Sequence, residues 1–141
     1  MSDKTFVDTN VLIYAYDADA GGKHRAAKRA LQDLWNSGSG VLSMQVLQEF
    51  YVNVTRKIAS PLSRDIARRV VDSYSAWCVE TATAALAAAF QIEDEARIGF
   101  WDALIVASAM RLGAVRILSE DLNARQMIRG IRIENPFADV H

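Results

Sequence analysis

Cysteine is almost missing from this chain: Cys78 is the only one, so no internal disulfide can form and a cytosolic setting is expected. Cys78 itself reads as a small buried hydrophobe. Histidine is nearly as scarce. His24 lies in a charged helical stretch and reads as a surface residue, and His141 is the last residue. No serine, nor Cys78, has a convincing histidine partner, so nucleophilic triad chemistry is disfavoured. A positive charge excess is also absent. The formal net charge is -1, which argues against a passive nucleic-acid binder but not against an enzyme with clustered acids. No apolar run is long enough to span a bilayer; the richest, at 82–90, is short and dominated by alanine. Met1-Ser2-Asp3-Lys4 leads straight into a strand-like run with no signal-peptide pattern. Repeats, low-complexity tracts and linkers are lacking too, and 141 residues suit one domain, 1–141, around one core.

What is present is globular: 51% of residues are hydrophobic and 23% charged. Short strands are expected at 5–8, 41–43, 115–118 and 131–134, with a weaker one at 78–80. Helices are expected at 23–36, 45–56, 64–77, 81–93, 98–112 and 120–129. Ser63 is the expected N-cap of the helix that follows it, and Gly113 and Gly130 are read as helix stops. The stretch 98–112 is apolar nearly all round, the mark of a buried helix. Strands alternating with helices favour an α/β fold with a parallel sheet and helices on both faces. Such sheets bind ligands beyond the carboxyl ends of their strands.

Four acidic residues fall at or near expected element ends. They are Asp8 in Phe6-Val7-Asp8-Thr9-Asn10, Glu49 in Val46-Leu47-Gln48-Glu49-Phe50, Asp102 in Phe100-Trp101-Asp102-Ala103-Leu104, and Asp121 in Leu118-Ser119-Glu120-Asp121-Leu122. Asp8 and the Ser119-Glu120-Asp121 group follow two strands that, if parallel, release both onto one sheet edge. Asp102 opens the buried helix, where the helix dipole favours an anion but Phe100 and Trp101 would solvate it poorly. Each has an ordinary reading beside this one: Asp8 as an N-cap, Glu120, Asp121 and Asp102 as first-turn acids. By helical periodicity Glu49 shares a stripe with Gln45 and Asn53 and is expected at the surface. Carboxylates gathered in partly apolar surroundings need a cation, and Mg²⁺ or Mn²⁺ prefers oxygen ligands. That points to metal-dependent phosphodiester chemistry.

Over essentially its whole length the chain resembles the PIN-domain ribonucleases, and most closely the VapC-type toxins of toxin–antitoxin pairs. Phe6-Val7-Asp8-Thr9-Asn10-Val11-Leu12 is similar to the family's opening motif, and Asp8 takes its first acid. Glu49, Asp102 and Asp121 take the second, third and last, with Ser119 where threonine or serine usually stands. One Asp-Thr-Asn would be a weak signal; four motifs in order are a strong one.

The resemblance implies a three-layer PIN-like fold with a short, mostly parallel sheet flanked by helices. It implies endonucleolytic cleavage of RNA with Mg²⁺ or Mn²⁺, a homodimer, and inhibition by a cognate antitoxin that itself binds operator DNA. It also draws Glu49 into the site against the periodicity, and favours Asp121 over Glu120 as the last acid. In that scheme Asp8, Glu49, Asp102 and Asp121 gather around one or two ions, while Thr9, Asn10, Ser119 and Glu120 orient phosphate or hold the acids. Candidate phosphate contacts are Lys23, Arg25, Lys28 and Arg29 on one helix, Arg64, Arg68 and Arg69 on another, and Arg97 and Arg125 near the acids. Trp101 is read as core, with base stacking as the alternative. A haloacid-dehalogenase-like phosphatase is disfavoured because Asn10 stands where its second aspartate is needed. A non-catalytic binding module, or a housekeeping RNA-processing nuclease, are the other readings.

Overall fold

A computed structural model of the chain describes residues 3–78, 83–122 and 126–140. Among the described residues the sheet has five strands: β1 (Thr5–Val7), β2 (Gly40–Val41), β3 (Arg116–Leu118), β4 (Met127–Ile128) and β5 (Ile131–Glu134). Their spatial order is β2-β1-β3-β5-β4. All neighbours are parallel except β4 and β5, which are antiparallel. The helices are α1 (Thr9–Tyr16), α2 (Gly22–Ser37), α3 (Met44–Arg56), α4 (Arg64–Tyr74), α5 (Ala84–Ala96) and α6 (Phe100–Arg111). The strongest helix pairings are α5 with α6, α1 with α2, and α1 with α3. The result is the expected three-layer α/β arrangement, helices flanking a short and mostly parallel sheet.

The central strands are buried on both faces, as βαβ crossovers require. Phe6, Val7, Ile117 and Ile133 are fully buried. Each such side chain contributes about 1.5–3 kcal/mol of transfer free energy. In α6, Ala103 and the run from Ile105 to Ala109 are all buried, as the unbroken apolar pattern predicts. Ser63 caps α4 as expected, its side chain accepting from the Ile66 N–H at 3.2 Å. Gly40 is dictated by packing: a Cβ there would lie 2.8 Å from the Trp77 indole.

Several boundaries differ from expectation. The strand expected at 41–43 is Gly40–Val41, after which Leu42 makes one parallel bridge to Cys78 and Ser43 already starts α3. Of the strand expected at 78–80, Cys78 supplies that bridge, and residues 79 and 80 lie outside the described set. The helix expected to reach 77 ends at Tyr74 and tightens into a 3-10 turn, Ser75–Trp77. The helix expected at 81–93 runs as Ala84–Ala96, with 81 and 82 outside the described residues. It stops where Arg97 turns left-handed at φ 54°, and α6 then starts at Phe100 rather than at residue 98.

The largest correction concerns 120–129. Glu120 to Leu122 form a bend, and Met127–Ile128 is strand β4 rather than helix. Ser119 explains the misleading signal. Its hydroxyl accepts from the N–H groups of Asp121 and Leu122, both at 3.2 Å, which is how a serine would begin a helix. Downstream, Arg129 and Gly130 both have positive φ, at 53° and 78°, between the paired Ile128 and Ile131. Two such residues make the tight hairpin turn whose twist suits antiparallel strands. Gly130 therefore serves a hairpin and not a helix stop.

Candidate active site

The parallel pairing of β1 with β3 builds the centre of the site. Val7 faces Leu118 in register, so the next residues, Asp8 and Ser119, leave the sheet side by side. The Asp8 N–H continues the ladder to the Leu118 carbonyl at 3.0 Å. Asp8 then acts as N-cap of α1, its Oδ1 accepting from the Thr9 N–H at 2.7 Å. Its Oδ2 accepts from the Ser119 hydroxyl at 2.7 Å. Both the capping and the sheet-edge readings of Asp8 are thus true at once.

Asp8 is only 7% exposed. Burial pushes its pKa up to about 6; the Ser119 and Thr9 hydrogen bonds pull it down, while the charges of Asp121 and Asp102 add to the rise. Asp102, half-buried in the first turn of α6, is also raised, by burial first and then by Asp121 and Glu49. Asp8, Asp102 and Asp121 therefore feel one another's charge, and Glu49 reaches this group through Asp102. None of the four is in an ion pair with a described residue.

Asn10 locks the second acidic loop onto α1. Its Nδ2 donates to Asp121 Oδ2 at 3.0 Å, and its Oδ1 accepts from the Glu120 N–H at 3.2 Å. Glu120 points to other partners. It accepts from the Tyr14 hydroxyl at 2.8 Å and pairs with Lys23, whose ammonium lies 5.1 Å from the Tyr14 ring centre. Adjacent in sequence, Glu120 and Asp121 thus have separate surroundings: Glu120 is neutralised by a cation, while Asp121 is held by the neutral Asn10 amide and pairs with no described cation. Lys23 is thereby taken from the expected set of phosphate contacts.

Glu49 lies exposed on α3, as its periodicity indicates, with Gln45 Nε2 donating to its Oε1 at 2.7 Å. Trp101 corrects the sequence reading: it is 65% exposed and not core. It sits in the first turn of α6, before the helix enters the sheet layers at Ala103. With Gln45, Gln48 and Glu49 it lines a hollow of about 490 Å³. His24 is half-buried rather than free at the surface, and its Nδ1 lies 2.9 Å from the Tyr14 carbonyl oxygen. Cys78 is half-buried, and burial raises its thiol pKa, which makes it a poor nucleophile. Arg97 is exposed, Arg68 stacks 6.0 Å from the Tyr51 ring centre, and Arg125 lies outside the described residues.

Against known proteins, the chain matches the PIN domain over residues 5–129. It belongs to the PIN domain family. No curated protein matches it in sequence. Among solved structures, this PIN chain is similar to a toxin–antitoxin complex from Klebsiella pneumoniae, with TM-score 0.69, 18% identity, and 94% of this chain and 98% of that one covered. It is similar to DNA-bound VapBC from Salmonella typhimurium, with TM-score 0.66, 23% identity, and coverage of 96% and 99%. It is also similar to VapC20 of Mycobacterium tuberculosis, a toxin that cleaves the sarcin–ricin loop, with TM-score 0.60, 19% identity, and coverage of 84% and 90%.

The PIN family leads one to ask whether these residues suit a divalent ion. As they stand, no three acidic, histidine or cysteine side chains among the described residues close around a single point. Their oxygens are spread over local partners: Ser119 and Thr9 for Asp8, Asn10 for Asp121, Gln45 for Glu49. Like charges also push one another apart. The donor chemistry nevertheless fits a hard cation. All candidate ligands are carboxylates, no described cation compensates their mutual repulsion, and the Thr9 Oγ1 beside Asp8 is buried without a hydrogen-bond partner among the described residues.

Proposed function

We propose that this chain is a metal-dependent endoribonuclease and the toxin of a type II toxin–antitoxin pair. The observation that carries the reading is that Asp8, Asp102 and Asp121 feel one another's charge, uncompensated by any described cation, where β1, β3 and the start of α6 meet in a PIN fold. Similar solved structures are toxins with their antitoxins, and one is a ribonuclease toxin. Asp8, Asp102, Asp121 and Glu49 would hold Mg²⁺ or Mn²⁺. When bound, such an ion acidifies water and offsets charge on the scissile phosphate.

The remaining work falls to the protein. Ser119 and the Thr9 N–H hold the Asp8 carboxylate in one orientation. Asn10 does the same for Asp121. The N-terminal turn of α6 presents Asp102 and adds a partial positive charge to a site otherwise strongly negative. Tyr14 and Lys23 keep Glu120 turned aside, so the local negative charge is limited to the acids that need it. Thr9 Oγ1 is free to orient water or a phosphate oxygen. Water attacks phosphorus in line and leaves a 3′-hydroxyl and a 5′-phosphate.

RNA is the substrate in this reading, and the partners are a second copy of the chain and an antitoxin that carries the complex to operator DNA. The chain works as one domain in the cytosol. Among the described residues no helix is long and apolar enough to cross a membrane. The deciding test is cleavage of RNA by the purified protein in Mg²⁺, Mn²⁺ or EDTA, beside folded Asp8→Asn and Asp102→Asn. Cleavage that needs the ion and disappears in both variants is expected. Equal cleavage in EDTA, or by both variants, would sink the reading.

A further inference from the structure

Next to the acids, α3 and α6 enclose a second hollow of about 250 Å³, whose lining includes Ser43, Gln45, Gln48, Trp101, Leu104 and Ser108. Three of its features are unusual together. Trp101 offers a large indole that is 65% exposed, steadied by an edge-to-face contact with Phe100 at 5.2 Å between ring centres. Ser43 is 1% exposed, yet its Oγ has no hydrogen-bond partner among the described residues. Gln45 Oε1 is also buried without a partner among the described residues, and its orientation is set because the Nε2 end donates to Glu49. Buried polar atoms left unpaired are costly, so a fold seldom keeps two at one place without a use.

We propose that this hollow binds one unpaired nucleobase of the substrate, stacked on Trp101 and read at its edge by Ser43 and Gln45. A base has what the lining asks for: two apolar faces for Trp101 and Leu104, and an edge of donors and acceptors for a hydroxyl and an amide oxygen. Single-stranded RNA is recognised in this way, by stacking on aromatic rings and hydrogen bonding at base edges. The volume suits one ring system and excludes a paired one. Gln45 lines both this hollow and the one containing Glu49, and Trp101 directly precedes Asp102, so the bound base would flank the phosphate held at the acids. This inference rests on the nuclease reading for its substrate, and gives that reading a sequence-selecting residue.

The test uses uncharged ligands, which the acidic site does not repel. The full-length protein, labelled with ¹⁵N, is titrated with adenosine, guanosine, cytidine and uridine, and the indole Nε1–H signals of Trp35, Trp77 and Trp101 are followed. Trp101→Phe assigns the signal, and its exposure makes the variant safe for folding. Saturable shifts of Trp101 and of the Gln45 amide by one or two nucleosides, at least about fivefold tighter than the others, are expected. Trp101→Ala should weaken that binding about tenfold or more, within the range for base–aromatic stacking. Gln45→Met should equalise the four nucleosides without abolishing stacking. No Trp101 shift by any nucleoside, or equal and unsaturable shifts by all, would overturn the proposal. So would a shift produced by N-acetylarginine amide alone, which would assign the hollow to a protein partner. Cleavage of RNA in Mg²⁺ by the same sample reads the nuclease assignment separately, so either can fail while the other stands.

Discussion

Ser119 and Asp8 meet across 111 residues of chain, the serine hydroxyl donating to Asp8 Oδ2 at 2.7 Å while it accepts from the N–H groups of Asp121 and Leu122. One fully buried hydroxyl thus orients the first acid and shapes the loop that carries the last. Ser119→Ala should destabilise the protein by about 1–3 kcal/mol at pH 8, where Asp8 is ionised and loses a charge-assisted donor. Urea unfolding at pH 8 and pH 4.5 checks this. The loss should shrink at the lower pH, because a protonated Asp8 depends less on the donor.

Asp8 itself should make the metal-free protein more stable as the medium turns acidic. Its folded pKa is about 6, above the ordinary value of 3.8, so the native state holds the proton more tightly than the unfolded chain. Its contribution is fully favourable below the unfolded value, declines as pH rises, and is lost above about 6. Asp8→Asn should therefore stabilise the metal-free fold at pH 8 by up to about 3 kcal/mol, the equivalent of that shift. The gain should vanish near pH 4. A stability difference that does not change between these pH values would contradict the buried-carboxylate account.

Divalent ions should reverse that ranking. An ion bound only by the folded protein stabilises it by about 2.7 kcal/mol at a hundredfold excess over Kd. Mg²⁺ or Mn²⁺ should accordingly raise the Tm of the unaltered chain, and do so far less in Asp8→Asn and Asp102→Asn. Calorimetric scans with and without EDTA measure this directly, with no need for the RNA target.

The neighbours Glu120 and Asp121 should behave differently. Asp121→Asn removes a carboxylate that faces Asp8 and Asp102, and cleavage should fall by at least about 100-fold, beyond the range for residues that merely support a ligand. Glu120→Gln disturbs a bond to Tyr14 and an ion pair with a part-exposed Lys23, so the change in rate should stay within about tenfold. Parallel rate measurements on the two variants decide it; equal losses would mean that Glu120 also takes part in the site.

Much of this architecture was legible from residues alone, because strand and helix periods record which face is buried. The apolar run of α6 is legible for that reason, and the cap at Ser63 because capping is a local side-chain-to-backbone bond. The stretch after Ser119 was not. A serine that begins a helix and a serine that holds a carboxylate while capping a bend make the same local hydrogen bonds, and only the pairing of β4 with β5 separates them. Trp101 reads first as core for a related reason: an aromatic in an apolar helix is usually buried, whereas its exposure in the first turn of α6 follows from where that helix meets the layers.

The amino-acid order alone settles which acids are present, their succession, and the alternation of strands and helices that makes a parallel sheet. Those are properties of side-chain type and local period. Folding sets the rest: which carboxylates share a field, that Lys23 neutralises Glu120 and not Asp121, and that Trp101 stands open beside Asp102. The reason is register. Pairing Val7 with Leu118 puts Asp8 next to Ser119, and the electrostatics of the site follow from that contact between segments no local pattern connects.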